Sequence, residues 1–128
     1  MLTRTEGDTD LVLLGPVAEW VHDRQIALEI APSSNLQTGA GEQLGSGIAN
    51  HPFDALYELG FQVTVNTDNR LQSATTLTRE LEMLSETFDY GMEDIHQFQI
   101  NAVEASFQSL DTREELMEMI DSGFAQFE

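Results

Sequence analysis

The chain contains no cysteine and no lysine. The missing thiols exclude disulfide frameworks, thiolate nucleophiles, zinc ribbons and iron–sulfur ligation. They also exclude the zinc deaminases built on a Pro-Cys-x-x-Cys element. Positive charge is scarce: five arginines stand against 23 aspartates and glutamates, for a formal net charge of -18. That balance lacks the basic footprint a nucleic-acid binder needs and disfavours anionic lipid. It repels anionic substrates at long range and leaves neutral small molecules unaffected. No apolar run reaches the roughly 18 residues of a membrane span. The N-terminal Met1-Leu2-Thr3-Arg4-Thr5-Glu6 shows no basic patch followed by an apolar stretch, so no signal peptide is predicted. The expectation is a soluble cytoplasmic protein with no nucleic-acid and no membrane partner. Its acidity fits solvated acidic helix faces, or a salt-rich habitat.

What is present suffices for a core. The 128 residues are 41% hydrophobic, one domain's worth on a prior of about 100–200 residues per domain. The first ten residues are polar and are expected to be irregular. Leu11 to Leu14 are apolar, and Gly15-Pro16 interrupts them. Proline is pre-set for a first helical position, so a helix is predicted from residue 16 to about 24. Residues 26–30 are nearly all apolar and read as a strand covered on both faces, which Pro32 ends. The polar, glycine-rich stretch from Ser33 to Gly47 reads as a surface loop or as a loop over a functional site. A second helix is predicted from Pro52 to about residue 59, capped by Asn50 or His51 and stopped by Gly60. Residues 61–65 are enriched in β-branched side chains and read as a second strand.

Helices follow. Leu77, Leu81, Leu84 and Phe88 lie on one helical face, and Asp89-Tyr90-Gly91 breaks that helix. Ile95, Phe98, Ala102 and Val103 mark a second helix. Asp111-Thr112-Arg113-Glu114 fits a capping box opening a third, with Leu116, Ile120 and Phe124 apolar. Strands alternating with helices imply a parallel sheet. Two strands cannot close a barrel, and a complete (β/α)₈ barrel takes about 250 residues. On this reading Ile26, Leu28, Ile30, Val63 and Val65 face the barrel and are poorly covered, which predicts a marginal or aggregating protein.

Chemistry in parallel α/β folds gathers at the carboxyl ends of strands. Ser33-Ser34-Asn35 follows the first strand and Asn66-Thr67-Asp68-Asn69 the second. Asp68 is a candidate metal ligand or general base. The alternative is that Asp68 or Asn66 caps the next turn. His22, His51 and His96 have no metal-ligand spacing and read as caps or surface residues. Ser33 and Ser34 lack a G-x-S-x-G context. Glu80, Glu82 and Glu86 read as a solvated helix edge, and the five methionines as core filler.

The segment Leu28-Glu29-Ile30-Ala31-Pro32-Ser33-Ser34-Asn35-Leu36-Gln37-Thr38-Gly39, then His51-Pro52, then Val65-Asn66-Thr67-Asp68-Asn69 resembles the C-terminal part of adenosine deaminase, of bacterial type. That family carries L-E-x-x-P-x-S-N, then H-P, then S-L-N-T-D-D-P, and Thr78-Arg79-Glu80-Leu81 also resembles its bacterial members. The agreement runs over about residues 10–110. The resemblance implies a zinc-dependent (β/α)₈ hydrolase that converts adenosine to inosine and ammonia. It implies that residues 26–30 and 61–65 are strands seven and eight, so the fold class is α/β, a partial (β/α)₈ TIM barrel made of the last two βα units plus C-terminal helices.

By the same resemblance Asp68 matches the zinc-ligating aspartate, and zinc lowers the pKa of its bound water. Asn69 stands where a second aspartate binds N7 of the purine. N7 only accepts, and an asparagine NH₂ donates at any ordinary pH, so Asn69 is the expected substrate-binding residue. Arg70 replaces the usual Pro, and Thr64 the usual Ser or Ala. The family's H-x-H pair, its later zinc histidine, its acid glutamate and its orienting histidine are all missing. They are expected upstream of Met1. Residues 1–128 are thus expected to be a single partial domain without a complete catalytic set. Zn²⁺, the parent family's cofactor, needs three or four protein ligands, so it is expected not to be held by this chain alone. The expected partners are an adenosine-like purine nucleoside in the complete enzyme and a complementing N-terminal fragment. The isolated chain is expected to be inactive; a complementing half of a split enzyme and a non-catalytic acidic partner-binding module are the alternative readings.

Overall fold

A computed structural model of the chain describes residues 2–4, 12–38, 48 and 51–127. Its first element corrects the expectation of an irregular N-terminus at residues 2–4, while residues 1 and 5–10 lie outside the described residues. Strand β1 (Leu2–Arg4) pairs antiparallel with β2 (Val12–Leu14), with Leu2 opposite Leu14. Helix α1 (Pro16–Asp23) starts with Pro16 at its first position, as proline's fixed φ favours. It ends at Arg24, and Gln25 turns the chain at φ +50°.

Strand β3 (Leu28–Ile30) follows, and helix α2 (Pro32–Thr38) begins one residue later. Here the expected loop is corrected: its first six residues are helical. Pro32 ends the strand and also opens the helix, because it lacks only an N–H that the first turn does not use. Gly39 to Gly47 lie outside the described residues. Helix α3 (Phe53–Glu58) is shorter than predicted. His51 acts as its cap, Nδ1 accepting the Phe53 N–H at 3.1 Å, while Asn50 lies outside the described residues. Gly60 follows at φ +86°, where a Cβ would also sit 3.4 Å from His22 Nε2.

Strand β4 (Val63–Val65) pairs with β3 in parallel, with Leu28, Glu29 and Ile30 opposite Val63, Thr64 and Val65. The ladder runs from Leu28 N–H on Gln62 O to Asn66 N–H on Ile30 O. Both strands are therefore shorter than the apolar runs that announced them. Alternation sends Ile30, Val63 and Val65 into one core with Ala18, Phe53, Leu56, Phe61, Leu84, Tyr90 and Phe98. This corrects the expectation that they would be poorly covered. They face the helices of this same chain. The opposite face carries Glu29 and Thr64, and it is polar. Ile26 stays 40% exposed.

Helices α4 (Leu77–Phe88), α5 (Met92–Ala105) and α6 (Leu110–Ala125) complete the chain. Thr76 caps α4 through Oγ1 on Arg79 N–H, and Asp89 ends it at φ +58°. Leu84 is fully buried, Leu81 and Phe88 pack beside it, and Leu77 is exposed at the helix start. On α5, Phe98 and Val103 are buried and Ala102 is exposed. Helix α6 is capped by Ser109, whose Oγ accepts the Thr112 N–H, rather than by the box at 111–114. Leu116, Ile120 and Phe124 are half-buried. The architecture is α/β, with one parallel strand pair under a helical layer.

Aromatic side chains hold that layer. Phe98 meets Phe53, Tyr57 and Tyr90 edge-to-face at 4.8–5.3 Å between ring centres. The hydroxyls of Tyr57 and Tyr90 meet half-buried carboxylates, donating to Asp94 at 2.8 Å and to Asp54 at 2.7 Å. Burial and then the Asp94 hydrogen bond push the Tyr57 phenol up to about 12. Tyr90 is raised further, first by burial and then by Asp54. The buried carboxamide of Asn101 on α5 donates to Val63 O at 3.0 Å, on the side of β4 away from β3.

Candidate functional site

The ends of β3 and β4 open into a cleft of about 550 Å³, lined by Glu29, Ala31, Asn35, Asn66, Thr67 and Asp68. Each lining residue arrives there because the strands are parallel: both chains leave the sheet at the same end. Asp68 sits three residues past β4 in the left-handed region, at φ +52°. Aspartate tolerates that conformation better than most residues. Ser34 Oγ, in the first turn of α2, donates to Asp68 Oδ2 at 2.5 Å. Ser34 is buried and Asp68 exposed, so the hydroxyl fixes the carboxylate through Oδ2 and leaves Oδ1 without a hydrogen-bond partner among the described residues.

Asn69 takes the turn-forming role that was open to Asp68 or Asn66. Its Oδ1 accepts the N–H groups of Leu71 and Gln72 at 3.1 and 3.0 Å. With Oδ1 so engaged, its NH₂ has no partner among the described residues. Asn66 is committed to the strand end, donating to Thr64 Oγ1 at 2.9 Å. Arg70 is exposed.

Three further residues support the cleft: Asn35, which the sequence placed at the strand end, and His51 and Glu80, which the sequence read as a cap or surface residue and as a solvated edge. His51 is buried; its Nε2–H donates to Asn35 Oδ1 at 3.0 Å while Nδ1 accepts from Phe53. Those two bonds fix the neutral Nε2–H tautomer. Burial pulls His51 below its ordinary value of 6.5, against the charge of Glu80. Asn35 in turn holds its carboxamide at the cleft wall. Glu80 is completely buried, a correction to its reading as a solvated edge, while Glu82 and Glu86 are exposed. Its Oε2 accepts the Ser33 N–H at 3.2 Å, and its Oε1 is buried without a partner among the described residues. A signal was available: Glu80 lies three residues after Leu77 and four before Leu84, on the apolar face of α4.

The other histidines join helices outside the cleft. His22 Nε2–H donates to Leu59 O at 2.9 Å and its ring meets Phe61 edge-to-face. His96 lies 2.7 Å from Asp121 Oδ1 and stacks on Phe124. Among the described residues, no three His, Cys, Asp or Glu side chains converge on a point that could hold a metal ion. A protein zinc site takes three or four ligands. Asp68 by itself does not fit one. No helix of the described residues is long and apolar enough to cross a membrane.

The profile of the Adenosine deaminase family matches residues 9–123. The adenosine deaminase of Mycobacteroides abscessus is 48% identical over 113 residues, covering 88% of this chain and 30% of that protein. Adenosine deaminase 1 of Streptomyces coelicolor is 44% identical over 116 residues, covering 90% of this chain and 28% of the other. The chain thus spans under a third of the length of these relatives. Among solved structures, the adenine deaminase of Arthrobacter aurescens superposes with a TM-score of 0.76 at 22% identity, over 90% of this chain and 32% of that one. The N6-methyl-AMP deaminase of Arabidopsis thaliana gives 0.74 at 21% identity, over 85% of this chain and 32% of that one. These two share the fold. With a family profile spanning nearly its whole length, the chain belongs to the adenosine deaminase family.

Proposed function

We propose that residues 1–128 form the C-terminal portion of a zinc-dependent purine aminohydrolase, most simply an adenosine deaminase. They supply one wall of its active site. The observation that carries this reading is the Ser34–Asp68 contact. It brings the S-N element after one strand onto the aspartate after the next, at the strand ends where such enzymes do their chemistry. In this reading β3 and β4 are strands seven and eight of a (β/α)₈ barrel. Asp68 is the metal-ligand position, and the free NH₂ of Asn69 donates to N7 of the purine.

The chain by itself carries no complete site. One carboxylate does not bind catalytic zinc, and a lone ligand lacks the preorganised donors that stabilise a transition state. The isolated chain is therefore inactive, and a second polypeptide segment supplies the remaining ligands and proton-transfer groups. The substrate class is an adenosine-like nucleoside, which the net negative charge does not repel.

The test is direct. The purified chain should bind no stoichiometric zinc and release no ammonia from adenosine. Mixed with the segment of the Mycobacteroides abscessus enzyme outside its matched stretch, it should acquire both. Zinc and turnover in the chain alone would overturn the reading, as would failure of the mixture at every concentration tried.

A further inference from the structure

We infer that Glu80 is a positioning residue of the candidate site. From inside the core it holds the first turn of α2, and that turn aims Ser34 at Asp68. What Asp68 does there rests on the reading just given; the aiming is a property of this chain alone.

Three consecutive residues of α2 each reach a different part of the chain. Ser33 N–H donates to Glu80 Oε2 at 3.2 Å, on α4. Ser34 Oγ donates to Asp68 Oδ2 at 2.5 Å, after β4. Asn35 Oδ1 accepts from His51 Nε2 at 3.0 Å, before α3. The backbone couples the three contacts. Pro32 is fully buried and its ring fixes φ, and Asn35 N–H closes the turn on Ala31 O at 2.8 Å. With both ends of the turn set, the orientation of the Ser33 peptide decides where the Ser34 hydroxyl points. Glu80 holds that peptide by its N–H.

The anchor is itself fixed. Glu80 N–H donates to Thr76 O at 3.0 Å within α4, Thr76 caps the helix, and Leu84 one turn on is fully buried. A group carried on a helix orients its target better than one carried on a loop.

A carboxyl group is a poor filler for a core. Glu80 has no exposed surface, and its Oε1 has no hydrogen-bond partner among the described residues. Such burial costs stability, and an apolar side chain of similar volume is often neutral or stabilising in its place. A residue that lowers stability while serving one hydrogen bond beside a candidate site fits a trade of stability for function. Its charge also acts on buried His51, against the pull of burial. Glu80 thus bears on two of the three contacts around the turn.

The experiment follows the Ser34 hydroxyl in this chain by nuclear magnetic resonance, through the isotope shift of its Cβ in mixed light and heavy water. A hydroxyl held against a carboxylate exchanges slowly, and a loose one exchanges fast. The unaltered chain is compared with Glu80→Met, Glu80→Gln, Glu80→Asp and the control Leu84→Val, with thermal midpoints measured on the same samples. Slow exchange is expected in the unaltered chain. Glu80→Met should speed it by roughly tenfold or more, the equivalent of one lost hydrogen bond, without lowering the midpoint. Glu80→Gln, whose neutral oxygen is a weaker acceptor, should speed it less, and Glu80→Asp should recover part of the loss. Leu84→Val should lower the midpoint and leave the exchange slow.

Exchange that stays slow in Glu80→Met and Glu80→Gln overturns the inference. So does exchange that rises only in step with lost stability, or a hydroxyl already fast in the unaltered chain. If Glu80→Met does not fold, Glu80→Gln decides, since it keeps the volume and an acceptor oxygen. Failure of both to fold makes Glu80 a core residue and overturns the inference. In the mixture with the Mycobacteroides abscessus segment, Glu80→Met should lower kcat more than it raises KM. No turnover by the unaltered chain in that mixture overturns the proposed function and leaves the exchange result to decide this inference.

Discussion

Ser34 and Asp68 are 34 positions apart in the chain, and their side-chain oxygens are 2.5 Å apart. The contact spans two β-α units and exists only because β3 and β4 are parallel neighbours in register. It gives Asp68 a fixed direction although the residue is exposed and lies in a left-handed turn. Ser34→Ala removes that restraint. In the complex with the complementary segment, zinc affinity should fall about 10–100-fold, the usual cost of losing a group that orients a ligand. A chelator competition titration measures it. An unchanged affinity would show that the aspartate is oriented by other means.

His51 predicts an acid-side loss of stability. Its Nδ1 accepts the Phe53 N–H, so a proton there would set two donors against each other. Burial holds the folded value below 6.5, so the unfolded chain binds more protons in this range. The stability is present above about pH 6.5 and is lost as pH falls through the depressed folded value. Chemical unfolding at about pH 7 and about pH 5 should show a fall. Part of that fall should disappear in His51→Gln, which should itself be less stable at neutral pH by roughly 1–3 kcal/mol. An identical slope in the variant would assign the acid sensitivity to the carboxylates.

Much of this fold was legible because its cues are local. Pro16, Gly60 and the β-branched run at Val63–Val65 each constrain a few neighbouring residues. The inferred helices 77–88 and 92–105 follow from a 3.6-residue apolar period. The strand pairing of Leu2–Arg4 with Val12–Leu14 was not legible, since three-residue strands are too short to show alternation. Helix α2 was hidden by Pro32, which reads equally as a strand stop and a helix start. The facing of the sheet was misjudged because an apolar strand run does not say which of its two sides meets the helices. Glu29 between Leu28 and Ile30 marks the polar side. At the site, the resemblance pointed to Asp68 and Asn69, but the supports His51, Asn35 and Glu80 meet only in three dimensions.

The tyrosine–carboxylate contacts predict an alkaline limit. Tyr57 is raised from its ordinary value of 10.0 to about 12, and Tyr90 is raised too. A phenol whose folded value is raised keeps its proton in the native state longer than in the unfolded one. The contribution is full below about pH 10 and is lost as pH climbs through about 12. Ultraviolet titration of the phenols should therefore show both tyrosines ionising late and together with unfolding. Tyr90→Phe leaves Asp54 without its donor and should cost roughly 1–3 kcal/mol. Ionisation of both phenols near pH 10, with the fold intact, would contradict the contacts at Asp94 and Asp54.

The charge balance predicts that this fold needs salt. The chain has 23 acidic residues and five arginines. Among the described residues no arginine forms an ion pair with a carboxylate, and the two carboxylate contacts His22–Asp23 and His96–Asp121 become ion pairs only when the histidine carries a second proton. Arg24 lies over the ring of Trp20, Arg79 donates to Ala74 O, and Arg113 donates to Glu104 O. The excess negative charge is therefore compensated from solution. Compaction brings these charges together, and self-repulsion opposes folding. Raising the ionic strength from about 0.01 M to about 1 M shortens the screening length from roughly 30 Å to roughly 3 Å, which is less than the spacing of most surface charges. The thermal midpoint in potassium chloride should rise by roughly 5 °C or more over that range, equivalent to about 1 kcal/mol or more. Replacing exposed Glu82 and Glu86 by glutamine should reduce the slope, because fewer charges then remain to be screened. A midpoint that stays flat with salt in both proteins would mean that the acidic faces are far enough apart to fold without counterions.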